Sequence, residues 1–275
     1  MRDGFSLTFI GGGNMAAALI AGLAGQLTDG ANISVVDPNP AQLAKLADSF
    51  GVRAIERLDA AAAASDVIVL AVKPQQMRDV AAGLQPLLKE ALVLSIAAGI
   101  RAADLSRWLG GHQAIVRCMP NTPALIGQGV TGMVAMAGVS DEHRNAADSV
   151  MRAVGQTVWL DEESKIDAVT AVSGSGPAYV FYFIEAMQQA AAELGLSAEQ
   201  GTQLALATFT GASQLAARSA DEVAVLRERV TSKGGTTYAA LQSMEAAGVR
   251  QAIVAAVKAA AARGKELGDE LGSKE

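Results

Sequence analysis

Cysteine, aromatic residues and charge are all scarce in this chain. Cys118 is the only cysteine among 275 residues, so no internal disulfide can form and a reducing compartment is the default expectation. Charged residues make up 18% of the chain and the net charge is −6 with both signs scattered, which excludes the basic footprint of a nucleic-acid binder. No stretch reaches the roughly 20 uninterrupted apolar residues that cross a bilayer, because Gly, Pro or a charge breaks each one. The N-terminal region has no cationic segment followed by an apolar run of signal length. A cytoplasmic protein with neither a membrane nor a nucleic-acid partner is expected. Only two histidines occur, His112 in a Gly-Gly-His turn and His143 beside acidic residues; both read as surface positions. No metal-ligand cluster, Tyr-x-x-x-Lys pair or nucleophile elbow appears.

Aliphatic residues and glycine fill the space left. Short apolar runs at Leu7–Ile10, Ile33–Val36, Val67–Ala71, Leu92–Ile96 and Ala114–Met119 alternate with helical patterns at Met15–Leu27, Pro40–Phe50, Gln75–Leu88 and Ala102–Leu109. Strands that are apolar throughout and separated by helices predict a parallel sheet covered on both faces. Val130–Met136 and Gln156–Leu160 read as two closing strands. Beyond Leu160 the patterns are helical only, with a capping box at Ser197-Ala198-Glu199-Gln200. The organisation expected is α/β, with a doubly wound sheet in 1–160 followed by an all-helical domain in 161–275. The Ala-rich faces of 202–217 and 249–262 leave a small helical domain with apolar surface to cover, which predicts a homodimer.

The first strand runs into Gly11-Gly12-Gly13-Asn14-Met15-Ala16, the dinucleotide fingerprint in its alanine-ended form. Gly11 allows the tight turn and Gly13 the approach of a pyrophosphate. Ala16 allows close packing of helix on strand, and the helix N-terminus, with Asn14 and Met15, offers backbone donors. Asp37 ends the second strand, where a carboxylate accepts from the adenosine ribose and disfavours a 2′-phosphate. Arg53, at the next strand, could instead reach that phosphate, so NADH and NADPH both stay open. Ala71-Val72-Lys73-Pro74, the run Ser95–Gly99 and Met119-Pro120-Asn121-Thr122-Pro123 lie at strand ends, where an open parallel sheet binds its ligands. Lys73 and Asn121 are the hydrogen-bonding candidates there.

Two further glycine- and hydroxyl-rich runs open helices in the second half: Ser173-Gly174-Ser175-Gly176-Pro177-Ala178-Tyr179, and Thr231-Ser232-Lys233-Gly234-Gly235-Thr236-Thr237. Each puts free backbone donors at a helix start, an anion-binding arrangement. Taken in order with the glycine loop, Ala71–Pro74 and Met119–Pro123, these runs resemble the pyrroline-5-carboxylate reductase family along almost the whole chain. The resemblance implies a Rossmann domain joined to a helical dimerisation domain, with active sites built between subunits and NADPH or NADH as cofactor. It also implies a small cyclic-imine substrate reduced to proline and a homodimer or higher homo-oligomer. The family's substrate loop falls on Ser232, Gly234, Gly235, Thr236 and Thr237, with Ser175 nearby in role and Thr237 at the substrate nitrogen. Asp37 departs from the non-acidic residues common in relatives. A 3-hydroxyacid dehydrogenase is the nearest alternative. It would place a lysine at the substrate alcohol, and neither Lys165 nor Lys233 sits in such a pattern.

Overall fold

The computed structural model describes residues 5–272. Eight strands form one sheet in the order β3-β2-β1-β4-β5-β6-β7-β8. They are β1 (Leu7–Ile10), β2 (Ile33–Val36), β3 (Arg53–Ile55), β4 (Val67–Leu70), β5 (Leu92–Ser95), β6 (Ile115–Met119), β7 (Gly129–Ala135) and β8 (Gly155–Trp159). The first six run parallel; β7 pairs antiparallel with β6, and β8 parallel with β7. Chain order reverses at β1, which lies between β2 and β4. That switch opens a crevice at the carboxyl ends of the strands, the general ligand position in open α/β sheets.

Helices α1 (Asn14–Leu23), α2 (Pro40–Phe50), α3 (Met77–Leu84), α4 (Ala102–Trp108) and α5 (Asp141–Arg152) accompany this sheet. Local chemistry sets their ends. Asn39 caps α2 by accepting from the N–H of Ala41 and Gln42, Pro40 takes its first turn, and Gly51 at φ 67° ends it. Helix α1 stops at Leu23, short of the expected Leu27, because Ala24 turns extended and Gly25 takes φ 75°. The four β1 residues are buried, as are those of β2, β4 and β5, so the core lies on both sheet faces.

Past β8 the described chain is helical: α6 (Ile166–Val169), a π-helical turn (Thr170–Gly174), α7 (Gly176–Glu193), α8 (Ala198–Arg218), α9 (Val223–Arg229), α10 (Thr236–Ala246) and α11 (Val249–Gly272). Two compact units result. One holds the residues up to Ser175 together with those from Ala260 on; the other spans Gly176–Ala259. Buried Gly264 and Gly268 let the end of α11 lie against Asp167 and Arg101, and Arg101 is paired with Asp269 at 2.6 Å. In the second unit the Ser197–Gln200 capping box forms as expected, and Gly201 sits against the Ala191 methyl to join α7 to α8. Large apolar side chains stay uncovered on these two helices, among them Phe181, Tyr182, Met187, Leu204 and Leu215. Among the described residues, no helix is long and apolar enough to cross a membrane.

Candidate functional site

The glycine loop sits at the carboxyl end of β1 and is held from three sides. Gly11 donates to the Val36 carbonyl at 2.8 Å, and its φ of 101° is open to glycine. A Cβ there would lie 2.6 Å from the Ala71 carbonyl oxygen, so β4 permits nothing larger. The Asp37 carboxylate accepts from the N–H of Gly12 at 2.7 Å and of Asn39 at 2.9 Å. Gln42 Nε2 donates to the Gly12 carbonyl at 2.5 Å. Ala16 is buried, so α1 packs directly on the sheet, while Asn14 is exposed and Met15 half-buried in the first turn.

Gly13 differs in kind from Gly11. It caps α1 with φ −66° and ψ −177°, which any residue adopts, and a Cβ built there meets no atom within 4 Å. The protein itself therefore has no need of glycine at this position. Gly13 lines a cavity of about 720 Å³ together with Gly11, Asp37, Ala71, Val72 and Lys73. An open space beside a side-chain-free helix N-terminus fits the pyrophosphate of a dinucleotide. Ser95, at the carboxyl end of β5, adds a fully buried hydroxyl without a hydrogen-bond partner.

Other predicted cofactor residues lie elsewhere. Pro74 is half-buried at the start of the short 3-10 turn that leads into α3. Arg53 opens β3 opposite Ser34, three residues before Asp37 on the neighbouring strand, and does not line the cavity. Arg57 and Glu56, just past the carboxyl end of β3, do line it. The sequence signal was available, since two residues after a parallel strand is where ligands bind. However, β3 is a three-residue edge strand with two exposed positions, too short to reveal where it ends.

Asn121 is buried, and both ends of its amide are used within the protein. Its Oδ1 accepts from the N–H of Val130 at 2.9 Å, and its Nδ2 donates to the Ser173 carbonyl at 3.2 Å. Four residues earlier, Arg117 is buried and donates to Glu163 at 2.9 Å; Glu163 also accepts from the Ala102 N–H at 2.7 Å. The π-helical turn ends with the Ser175 N–H bonded to the Thr170 carbonyl at 2.8 Å, and Ser175 is half-buried.

The second unit presents the other loop. Thr231 Oγ1 donates to the Arg227 carbonyl at 2.6 Å, closing the end of α9. Gly234 takes φ 74°, and Gly235 donates to the Ser232 carbonyl at 3.0 Å before capping α10 without a side chain. Ser232, Gly234, Thr236 and Thr237 are exposed and Gly235 half-buried. The first N–H groups of α10 have no intrahelical partner by construction, so they add to the hydroxyls of this loop.

Three other candidate acids, bases or nucleophiles are already engaged or buried. Lys165 is exposed and ion-paired with Asp161 at 2.6 Å. Cys118 is buried, and burial pushes its thiol far above the ordinary range. His112 is half-buried, unlike the surface position its turn suggested. Its Nε2 lies 2.9 Å from the Ala91 carbonyl, and desolvation lowers its pKa.

Residues 163–267 match the family model for pyrroline-5-carboxylate reductase dimerisation, and residues 6–99 match that for NADP oxidoreductase, coenzyme F420-dependent. The chain is 49% identical to a pyrroline-5-carboxylate reductase of Pseudomonas aeruginosa over 97% of this chain and 98% of that protein. A solved pyrroline-5-carboxylate reductase from Coxiella burnetii is 39% identical, with a TM-score of 0.91 over 96% of this chain and 98% of that one. The Plasmodium falciparum pyrroline carboxylate reductase, solved with NADP bound, is 29% identical, with a TM-score of 0.87 over 98% of this chain and all of that one.

Proposed function

Since this chain belongs to the pyrroline-5-carboxylate reductase family, we propose that its α10 loop holds the carboxylate of 1-pyrroline-5-carboxylate while the imine is reduced. The reaction is NAD(P)H-dependent reduction of that cyclic imine to L-proline. When bound, NAD(P)H supplies the hydride. The chain's own part is placement: Ser232 and the N–H groups of Gly234, Thr236 and Thr237 grip the carboxylate, and Ser175 supports the same substrate. Thr237 Oγ1 hydrogen-bonds the ring nitrogen and fixes its orientation. A protonated imine carbon is already electrophilic, so orientation supplies most of what the step requires.

The observation that carries this reading is the start of α10, where a positive-φ glycine and a side-chain-free cap leave donors and two threonine hydroxyls exposed together. Gly11, Gly13, Asn14, Met15, Ala16 and the run Ala71–Pro74 form the cofactor side in this reading, with Asp37 on the adenosine ribose. Residues 1–160 then serve the cofactor, and 161–275 serve substrate and assembly. The homo-oligomer is a dimer or a larger ring built from dimers through the uncovered faces of α7 and α8, working in the cytoplasm. Purified protein given pyrroline-5-carboxylate with NADPH, and separately with NADH, tests the function. Proline formed in step with cofactor oxidation is the expected result. Cofactor binding without proline would remove the substrate assignment.

A further inference from the structure

We infer that Asn121 is a positioning residue for the substrate segment Ser173–Ser175, not a contact of the cofactor. This rests on the proposed role of Ser175 at the substrate. Arg117, Met119 and Asn121 are alternate residues along β6 and its extension, so they face one side. All three meet the segment that follows β8. Arg117 pairs with Glu163 at 2.9 Å. A Cβ on Gly174 would come 2.8 Å from Met119 Cε, so Gly174 lies against the end of the Met119 side chain. Asn121 Nδ2 donates to the Ser173 carbonyl at 3.2 Å, and its Oδ1 is fixed by Val130.

Glu163 precedes the π-helical turn Thr170–Gly174, and Ser173 and Gly174 lie within it. Such a turn carries one residue more than an α-helical one. The extra residue rotates everything after it by about 100° relative to an unbroken helix. Which way Ser175 points is therefore set by the turn, and the turn is tied down at Ser173 by Asn121. Each end of the buried Asn121 amide already holds a partner, so the side chain is fixed in place by Val130 and Ser173 and keeps only one N–H and one lone pair unspent.

Asn121→Asp separates the two roles. Aspartate keeps the acceptor for Val130 and sets an oxygen against the Ser173 carbonyl, so the donated bond is lost. Expected are a kcat/KM for the imine lowered about tenfold or more, an NADPH Kd within twofold of the parent, and faster hydrogen exchange at the Ser175 amide. An NADPH Kd raised tenfold with imine KM unchanged would overturn the inference, as would unaltered exchange at Ser175. The exchange readout needs no turnover, so an inactive parent enzyme would count against the function alone. Should Asn121→Asp not fold, Asn121→Ser, whose shorter side chain cannot span Val130 and Ser173 together, is read by the same measurements, and unaltered exchange at the Ser175 amide would overturn the inference.

Discussion

Gly11 and Gly13 carry the same sequence motif for different physical reasons, and replacing each by alanine should separate them. In Gly11→Ala the new methyl lies 2.6 Å from the Ala71 carbonyl oxygen and 2.8 Å from its carbon, both backbone atoms at the end of β4. Overpacking costs about 1–3 kcal/mol, and holding alanine at φ 101° costs roughly another 1–3. A loss of about 4 kcal/mol corresponds to a fall in Tm on the order of 10 °C for a chain of this size. Gly13→Ala has ordinary dihedrals and open space, so the cofactor-free protein should melt within about 2 °C of the parent. Its methyl intrudes where the pyrophosphate approaches, costing charge-assisted hydrogen bonds worth about 1.5–3 kcal/mol. NADPH Kd should then rise on the order of tenfold to a hundredfold. Thermal melts without cofactor and fluorescence titrations with NADPH read the two quantities independently. A Gly13→Ala protein that binds NADPH like the parent would refute the cradle, and an unshifted Tm in Gly11→Ala would refute the close approach.

Thr237→Ala should reduce kcat/KM for the imine about tenfold or more while NADPH affinity holds, since one orienting hydrogen bond is removed; an unchanged value takes Thr237 out of the mechanism. Replacing Asp37 with serine removes a negative charge from the adenosine end, so the NADPH-to-NADH ratio of kcat/KM should rise about tenfold. A ratio that stays put would show that Asp37 serves only the Gly12 and Asn39 backbone. Burial alone would raise the Asp148 carboxyl, but donors from Thr157, Arg152 and Trp159 outweigh it and hold the pKa below the ordinary value. A lowered folded-state pKa contributes stability above the unfolded value, about 3.9, and that contribution fades as pH falls below it. Asp148→Asn should therefore cost about 1–3 kcal/mol at neutral pH and flatten the acid limb of the melting curve. An acid limb of unchanged slope would show that Asp148 is not its source.

The sequence by itself determined most of the elements and all of the motifs, because those signals are local. Helix Pro40–Phe50 was legible to the residue, since Asn39, Pro40 and Gly51 are cap, first turn and stop in one stretch of chain. The buried parallel strands read as unbroken apolar runs because both of their faces are covered. Helix α5 was not legible, as its buried face is made largely of Ala146, Ala147, Val150 and Met151 within a polar run. The reversed direction of β7 was not legible either. Antiparallel β7 and parallel β6 are both apolar, and direction follows from the path of the connection. Residue roles that depend on distant partners were decided only in three dimensions. Nothing near Asn121 in the chain showed that the fold brings Val130 and Ser173, nine and 52 residues away, to the two ends of its amide. Arg53 and Arg57 are both exposed basic residues on one short stretch, and only the pairing of β3 with β2 put Arg57 at the crevice. A hydrogen-bonding group can be recognised from its neighbours in sequence; whether it is still available depends on what folding packs against it.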